Sequence, residues 1–190
     1  MEFKIAILIS GNGSNMLNII KASQGGEIKS KIVTVISNKI NVLGIKKAKE
    51  NNIKTKIFND KLLSKKEFEN NLLNYLNKQG VNLICLAGFM KILSKNFIKN
   101  CNCKIINVHP SLLPSFKGLN THRRAINMNV KFSGCTIHYV SESVDSGNII
   151  DQELVRINKS DDENSLRKKI LMKEHKLYIK VLKKMEKNHE

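Results

Sequence analysis

An asparagine and a histidine in the middle of the chain have the types and spacing for acid–base chemistry. Asn107 and His109 lie two positions apart in an apolar, β-branched run, so strand alternation places both side chains on one side. The amide donates hydrogen bonds and the imidazole titrates near neutral pH. Both prolines of the chain, Pro110 and Pro114, follow and stiffen the loop, and the Leu113–Pro114 bond is a cis candidate. The combination favours a catalytic site over the alternative, a capped structural histidine.

A carboxylate later in the chain would complete this chemistry. Asp145 lies in a predicted turn at residues 144–147, VDSG, between two late strands. Aspartate is common in turns because its carboxylate accepts backbone N–H groups, so a structural role is the alternative. A histidine acting as acid and base works best beside a carboxylate that orients it and supports its charged form. We therefore expect Asp145 to serve His109, and we interpret His138 as a core histidine or a support behind the site.

The run SGNGSN at residues 10–15 follows an apolar strand and opens a predicted helix. Its glycines allow a ligand to approach the backbone, and the N–H groups of the helix start, with the side chains of Ser14 and Asn15, can surround a phosphate. The dinucleotide fingerprint would need glycine at position 16, which is Met16, and the P-loop Lys-Ser/Thr pair is missing. The run predicts a phosphate monoester site; an ordinary tight turn is the alternative.

The last predicted helix, residues 162–185 with Ser160 or Asp161 as its cap, carries a misplaced charge. Glu174 interrupts an apolar stripe that is formed by Leu166, Ile170, Leu177, Tyr178, Val181 and Met185. A carboxylate that faces inward is costly unless it has a partner. We expect Glu174 to pair with a lysine or to meet a polar or cationic group of a ligand.

Short β-branched runs alternate with segments of helical period, which predicts strand–helix units on a parallel sheet. The predicted strands cover residues 4–10, 31–37, 54–58, 83–87 and 105–109, with helices at 15–22, 43–51, 65–78 and 94–100. A helix at 121–128 and two strands at 135–141 and 148–157 follow, and the short turn between these strands makes them antiparallel. The pattern predicts one α/β domain with a doubly wound, Rossmann-like, mostly parallel sheet, helices on both faces and an antiparallel C-terminal addition.

The composition excludes several classes of protein. The 190 residues are 41% hydrophobic and 26% charged, near the globular average, which excludes a disordered tail or a collagen-like repeat. No apolar run reaches the roughly 20 residues of a membrane-spanning helix and no secretory signal begins the chain, so we expect a cytoplasmic protein without membrane contact. No metal site is expected, because no zinc-binding spacing relates the four cysteines, Cys85, Cys101, Cys103 and Cys135, which we interpret as reduced thiols.

The chain is strongly basic, with 33 Lys and Arg against 16 Asp and Glu and a formal net charge of +17. Such a charge favours anionic partners through long-range steering. The excess is mostly lysine spread along the chain, and no nucleic-acid-binding motif, aromatic platform or arginine cluster accompanies it. We therefore expect no nucleic-acid partner; a basic nucleic-acid-binding module is the alternative from a different class.

Four ordered motifs resemble those of the phosphoribosylglycinamide formyltransferase family of purine biosynthesis. They are ISGNGSN at residues 9–15, LAGFMKIL at 86–93, NVHPSLLPSFKG at 107–118 and VDSG at 144–147. The resemblance covers nearly the whole chain. It implies an enzyme that transfers the formyl group of 10-formyltetrahydrofolate, its co-substrate, to the primary amine of glycinamide ribonucleotide.

The resemblance also implies a role for each matching residue. The ribonucleotide phosphate would be held by Gly13, Ser14 and Asn15, and Glu174 would contact the glycinamide-ribose part. The folate pocket would be formed by Lys65, Met90, Lys91, Ile92, Leu93, Asn107, Ser141, Val144 and Asp145. The family commonly has arginine in place of Lys65 and Lys91. The compact ammonium group of lysine here replaces the planar guanidinium group of arginine, which can donate two parallel hydrogen bonds. We therefore expect a weaker side-chain contact at Lys65, whereas main-chain contacts at Lys91 should survive.

By the same resemblance, catalysis would be direct acyl transfer. Asn107 and protonated His109 would stabilise the developing oxyanion. Asp145 would keep His109 charged and help a proton to move from the attacking amine to the departing folate nitrogen. The amine is itself the nucleophile, so neither a covalent enzyme intermediate nor a metal is needed.

Two relatives that share the SLLP segment are alternatives. Methionyl-tRNA formyltransferase has a longer chain with a further C-terminal domain, and formyltetrahydrofolate hydrolase usually carries an additional N-terminal domain. The 190 residues begin close to the first predicted strand and end soon after the last predicted helix. We therefore expect a single formyltransferase domain over residues 1–190, in a monomer or weak homodimer, with the hydrolase as the closest alternative.

Overall fold

The strands follow the order that a doubly wound sheet requires. The strands are β1 (Lys4–Ile9), β2 (Lys31–Ser37), β3 (Thr55–Ile57), β4 (Leu83–Leu86), β5 (Lys104–His109), β6 (Phe132–Tyr139) and β7 (Ile149–Arg156). In the computed structural model, which describes residues 2–188, these seven strands form one sheet in the order β3-β2-β1-β4-β5-β6-β7. The first five run parallel, whereas β6 is antiparallel to β5 and β7 to β6. The predicted fold class is confirmed.

Helices cover both faces of the sheet. Within residues 2–188 they are α1 (Ser14–Gln24), α2 (Leu43–Glu50), α3 (Lys65–Gln79), α4 (Lys95–Asn100), α5 (Thr121–Asn127) and α6 (Glu163–Lys187). Side chains alternate across a strand, so Ile5 and Ile7 of β1 share a core with α1, α2, α5 and α6. Ala6 and Leu8 face the other core, with α3 and α4. None of the helices in residues 2–188 combines the length and the apolar character needed to cross a membrane.

Three of the four sequence motifs meet at one edge of the sheet. The strand order reverses between β1 and β4, and ligands of such sheets bind at the carboxyl ends of the strands near this reversal. The SGNGSN run follows β1, residues 87–93 follow β4, and β5 ends at His109. We therefore expect the ligand site at this carboxyl edge.

The structure corrects the predicted boundaries of two late elements. The strand predicted at 135–141 begins at Phe132 and ends at Tyr139. The cap of α6 is Asp162, neither Ser160 nor Asp161, because Asp162 and Ser165 form a reciprocal capping box. Asp161 instead pairs with Lys169 at 2.6 Å, and this hydrogen bond lowers the pKa of Asp161 to about 2. The sequence alone does not distinguish these adjacent aspartates.

Candidate active site

Antiparallel pairing of β5 with β6 brings an asparagine and a histidine together. Asn107 is the register partner of His138, and His109 is the partner of Thr136. The amide Nδ2 of Asn107 lies 3.3 Å from Nε2 of His138. The loop after β5 is tied to β6, because the backbone N–H of Leu113 donates to Oγ1 of Thr136 at 3.0 Å. The Leu113–Pro114 bond in this loop is cis, as predicted.

Asp145 lies between the two histidine rings. Its Oδ2 is 3.3 Å from Nδ1 of His109, and its Oδ1 is 3.7 Å from Nε2 of His138. The backbone N–H of Gly118 donates to the same Oδ2 at 2.8 Å. Asp145 adopts a left-handed backbone (φ 49°) in the loop between β6 and β7, a conformation that aspartate tolerates better than most residues. The loop thus returns a carboxylate to the end of β5.

The environment of His109 suits a doubly protonated ring. Its Nε2 lies 2.9 Å from the backbone carbonyl oxygen of Phe116, while Nδ1 faces the carboxylate of Asp145. Both partners can only accept hydrogen bonds, so an imidazolium satisfies both and a neutral ring satisfies only one. The side chain is buried, which removes water as a competing partner. The His109 ring therefore lies between two hydrogen-bond acceptors at the carboxyl end of β5.

His138 suits the opposite protonation state. Its Nδ1 lies 2.9 Å from the carbonyl oxygen of Tyr139 and so must donate to it. Burial lowers the pKa of His138, which favours a neutral ring whose Nε2 accepts the amide hydrogen of Asn107. The sequence prediction of a core or supporting histidine did not include this contact. Finding it needs the β5–β6 register, since 31 residues separate the two.

The SGNGSN run forms an open helix start. Gly13 precedes α1 with a left-handed backbone (φ 67°), and no side chain caps the helix. A Cβ atom at Gly13 would lie 3.0 Å from the Cα of Gly44, so the run also packs tightly against the start of α2. The first N–H groups of α1 have no acceptor within the helix. This arrangement suits an anion.

Asn15 and Glu174 form a buried pair beside this helix start. Nδ2 of Asn15 donates to Oε2 of Glu174 at 2.7 Å, and both side chains are buried. Burial raises the pKa of Glu174, and the hydrogen bond from Asn15 opposes that rise. The partner of Glu174 is thus an amide and not a lysine, the first of the two expectations, whereas contact with a ligand group stays a prediction. Oδ1 of Asn15 is buried without a hydrogen-bond partner among the described residues, which leaves an acceptor for a ligand.

The segment after β4 presents apolar side chains to solvent. Met90 and Ile92 are 65% and 64% exposed, whereas Leu93 is buried. Nζ of Lys91 lies 3.7 Å from Oδ2 of Asp60 and 4.9 Å from the ring centre of Phe68. The charge of Lys91 is therefore directed into the protein, consistent with the expectation that its main chain serves the site.

A chain of hydrogen bonds joins this segment to the end of β1. The backbone N–H of Met90 donates to Oγ of Ser10 at 2.8 Å, and Ser10 donates to Oδ1 of Asn38 at 2.6 Å. Nδ2 of Asn38 in turn donates to Oδ2 of Asp60 at 2.6 Å. Ser10 and Asn38 are buried. The chain fixes the segment after β4 relative to the SGNGSN run.

The remaining expected folate contacts lie at the start of α3 and in the loop between β6 and β7. Lys65 is the exposed first residue of α3, next to a capping box formed by Ser64. Ser141 donates to the carbonyl oxygen of Ser143 at 3.1 Å, and Val144 is half exposed. Two clefts of about 630 and 650 Å³ lie elsewhere, against α5, α6 and the end of β7, and contain none of the expected site residues. Within residues 2–188 no cluster of His, Cys, Asp or Glu is placed to bind a metal ion.

Known proteins are similar to this chain over most of its length. A family model described as formyl transferase matches residues 3–182. The phosphoribosylglycinamide formyltransferase of Haemophilus influenzae is 41% identical over 186 residues, covering 95% of this chain and 85% of that relative. The human trifunctional purine biosynthetic protein adenosine-3 is 42% identical over 176 residues, 92% of this chain but 17% of that relative. The chain thus spans less than a fifth of the trifunctional relatives.

Solved structures agree with the sequence comparison. The phosphoribosylglycinamide formyltransferase of Brucella melitensis matches with a TM-score of 0.92 at 40% identity, covering 97% of this chain and 96% of that chain. The corresponding enzyme of Bacillus halodurans gives a TM-score of 0.93 at 34% identity, covering 98% and 97%. The similarity therefore extends over the complete sheet and its helices.

Proposed function

The chain belongs to the formyl transferase family, and within it to the phosphoribosylglycinamide formyltransferases, and we propose that it formylates glycinamide ribonucleotide. The formyl donor is 10-formyltetrahydrofolate, and the products are formylglycinamide ribonucleotide and tetrahydrofolate. The observation that carries the proposal is the cluster of Asn107, His109 and Asp145 at the carboxyl edge. The reaction is a step of purine biosynthesis.

The reaction proceeds by direct transfer. The substrate amine attacks the formyl carbon, a new C–N bond forms, and the bond to the folate nitrogen breaks. Negative charge develops on the formyl oxygen in between, and fixed donors lower the free energy of that state. Asn107 supplies one such donor, because its Nδ2 carries a second hydrogen besides the one that His138 accepts. Both ring nitrogens of His109 already face acceptors, so its protonated ring would act on the oxyanion through its positive charge.

Asp145 supports both the charge and the proton transfer. Its carboxylate lies 3.3 Å from the His109 ring and is held in place by the N–H of Gly118. This contact stabilises the imidazolium through the transition state. The proton lost by the amine passes to the folate nitrogen with the help of this carboxylate, directly or through one water molecule.

His138 is a positioning residue in this scheme. Its tautomer is set by the carbonyl of Tyr139, so its Nε2 accepts from Asn107. The acceptor turns the nitrogen of the Asn107 amide, rather than its oxygen, towards this side of the strand. An amide rotated by half a turn would present an oxygen to the oxyanion and repel it.

The ribonucleotide binds between the start of α1 and α6. Its phosphate takes the N–H groups at Gly13, Ser14 and Asn15, where the helix dipole favours negative charge. Glu174 accepts hydrogen bonds from the ribose and glycinamide groups with the oxygen that Asn15 does not occupy. The buried Oδ1 of Asn15 accepts a further hydrogen bond from the same substrate.

The folate lies against the segment after β4 and the loop that carries Asp145. Met90, Ile92 and Val144 provide exposed apolar surface, and the backbone at Lys91 and Leu93 provides hydrogen bonds. Ser141 lies at the start of the second loop. The amine of Lys65, exposed at the start of α3, contacts the acidic end of the folate. No metal is required, because the charge on the oxyanion is matched by His109.

The test is a product analysis with purified protein and 10-formyltetrahydrofolate, with glycinamide ribonucleotide present or omitted. We expect formylated ribonucleotide and tetrahydrofolate to appear together, and only when the amine substrate is present. Formate released without the ribonucleotide would instead identify a hydrolase. The variant His109→Ala, assayed in parallel, separates enzymatic transfer from a slow reaction in solution.

A further inference from the structure

The cysteines divide into two environments within residues 2–188. Cys85 and Cys135 are fully buried in the core that contains α1 and α6. Cys101 and Cys103 are partly exposed at the margin of the opposite core, and their sulfur atoms lie 3.5 Å apart. The proposed formyl transfer uses none of these cysteines, so it does not explain the close contact between Cys101 and Cys103.

The chain turns at Asn102, which brings the thiol and the backbone N–H of Cys103 close to the sulfur of Cys101. Cys101 directly follows α4, and Cys103 directly precedes β5. The thiol and the backbone N–H of Cys103 are both hydrogen-bonded to the sulfur of Cys101, and they lower the pKa of Cys101 to about 7. The same contact raises the pKa of Cys103, because a second thiolate would face the first. Of the two sulfurs, Cys101 is therefore the one that ionises first, while Cys103 keeps its proton.

We propose that Cys101 and Cys103 form a dithiol site that exchanges with low-molecular-weight disulfides. The thiolate of Cys101 attacks one sulfur of the disulfide, the S–S bond breaks, and one thiolate leaves. Cys103 then loses its proton to solvent and attacks the sulfur of Cys101, which releases the second thiolate and forms a bond between the two cysteines. The protein loses two electrons, and the external disulfide gains them.

The other two cysteines provide internal controls for this reaction. Burial raises the pKa of Cys135 to about 12 and raises that of Cys85 still further from its ordinary value. Since only thiolates attack disulfides, and an attacking group needs access to its target, neither sulfur reacts while the chain is folded. Reactivity that is confined to residues 101–103 would therefore come from the geometry of that turn.

The dithiol site is independent of the proposed formyl transfer. Cys103 precedes the first residue of the six-residue strand β5, whereas His109 is its last residue. At about 3.3 Å per residue, the six steps from Cys103 to His109 separate them by roughly 20 Å, at opposite ends of β5. Failure of one proposal therefore leaves the other standing.

The test uses the folded full-length chain at pH 7 and an excess of an aromatic disulfide whose released thiolate absorbs visible light. We expect two thiolates to be released per chain and a product lighter than the starting chain by about 2 Da, the mass of two hydrogens. Proteolysis without reductant, followed by mass spectrometry, should find the bond between Cys101 and Cys103. A lasting mixed disulfide on Cys101 of the wild-type chain would overturn the proposal.

Two matched variants assign the two steps. Cys103→Ser should stop after the first step, with one thiolate released and a stable adduct on Cys101. Cys101→Ser should slow the first release by at least about ten-fold, because the remaining thiol is mostly protonated at pH 7. Cys85→Ser should react like wild type. Equal rates in Cys101→Ser and wild type, or modification of Cys85 in the folded chain, would contradict the assignment.

Discussion

Two carboxylates near the carboxyl edge of the sheet differ in the partners that the fold gives them. Asp145 lies between the rings of His109 and His138 and accepts the N–H of Gly118. Glu174 accepts a hydrogen bond from the neutral amide of Asn15, and burial raises its pKa. The first carboxylate faces groups that change charge, whereas the second faces a group that cannot.

This difference separates a site for moving protons from a site for binding. A carboxylate beside an imidazole changes the energy of protonated states, which is what a reaction with developing charge requires. A carboxylate beside an amide with an unsatisfied oxygen offers hydrogen-bond acceptors to a ligand. It does not change the protonation of its neighbour, because the amide does not titrate. Substitutions in the first region should therefore change kcat, and substitutions in the second should change KM.

The largest effect is expected from removing the imidazole. His109→Ala loses both the charged ring and its link to Asp145, so kcat should fall by about 10²–10⁴-fold with a much smaller change in either KM. Steady-state kinetics measure this, and circular dichroism checks that the variant folds. Asp145→Ala should show the same split. If either variant turns over at nearly the wild-type rate, the substituted residue has no catalytic role.

Removing the second carboxylate should act on binding. Glu174→Ala leaves Asn15 without its partner and the ribonucleotide without an acceptor, so KM for the ribonucleotide should rise by about 10–100-fold. The KM for 10-formyltetrahydrofolate and kcat should change little. Glu163→Ala, at the exposed start of the same helix, is the control and should behave like wild type. A decrease in kcat with unchanged KM would contradict this, because Glu174 would then act in the chemical step as Asp145 does.

A milder change should distinguish positioning from catalysis within the first region. His138→Ala removes the acceptor for the Asn107 amide, and kcat should fall by about ten-fold as that amide loses its orientation. His138→Gln offers an amide oxygen to the same nitrogen and should recover part of the loss. If glutamine rescues nothing, or if both variants change only thermal stability, the contact with Asn107 has no catalytic value.

The smallest effect concerns stability and pH. Burial raises the pKa of Glu174 above its ordinary value of 4.5, so in the pH range just above 4.5 the folded chain binds more protons than the unfolded chain. The contribution of Glu174 to the free energy of unfolding must therefore fall as pH rises through that range. Glu174→Gln lacks the group. Urea titrations at several pH values should show wild type losing stability relative to the variant as pH increases, and a constant difference would contradict the burial argument.

The sequence was most informative where residues close in the chain act together. Asn107 and His109 share a strand, and β-branched runs at regular intervals were enough to predict the parallel sheet that presents them. The cis bond before Pro114 also confirms a candidate that the local sequence indicated.

The sequence was least informative about pairs that the sheet assembles. Asn15 and Glu174 are 159 residues apart, and their hydrogen bond depends on how α1 packs against α6. The contact of Asn107 with His138 depends on the register of two antiparallel strands, which a slip of one residue would destroy. Long-range geometry of this kind is set by packing of the whole core and has no local signature.

The hydroxyl of Ser10 has a consequence for how the two substrates influence each other. Ser10 starts the run that we propose receives the phosphate, and its oxygen also accepts the N–H of Met90 in the segment that we propose faces the folate. Any displacement of one segment is therefore transmitted to the other across a single buried oxygen. Thermodynamic linkage then requires reciprocity: whatever factor the bound ribonucleotide contributes to folate affinity, the bound folate contributes to ribonucleotide affinity.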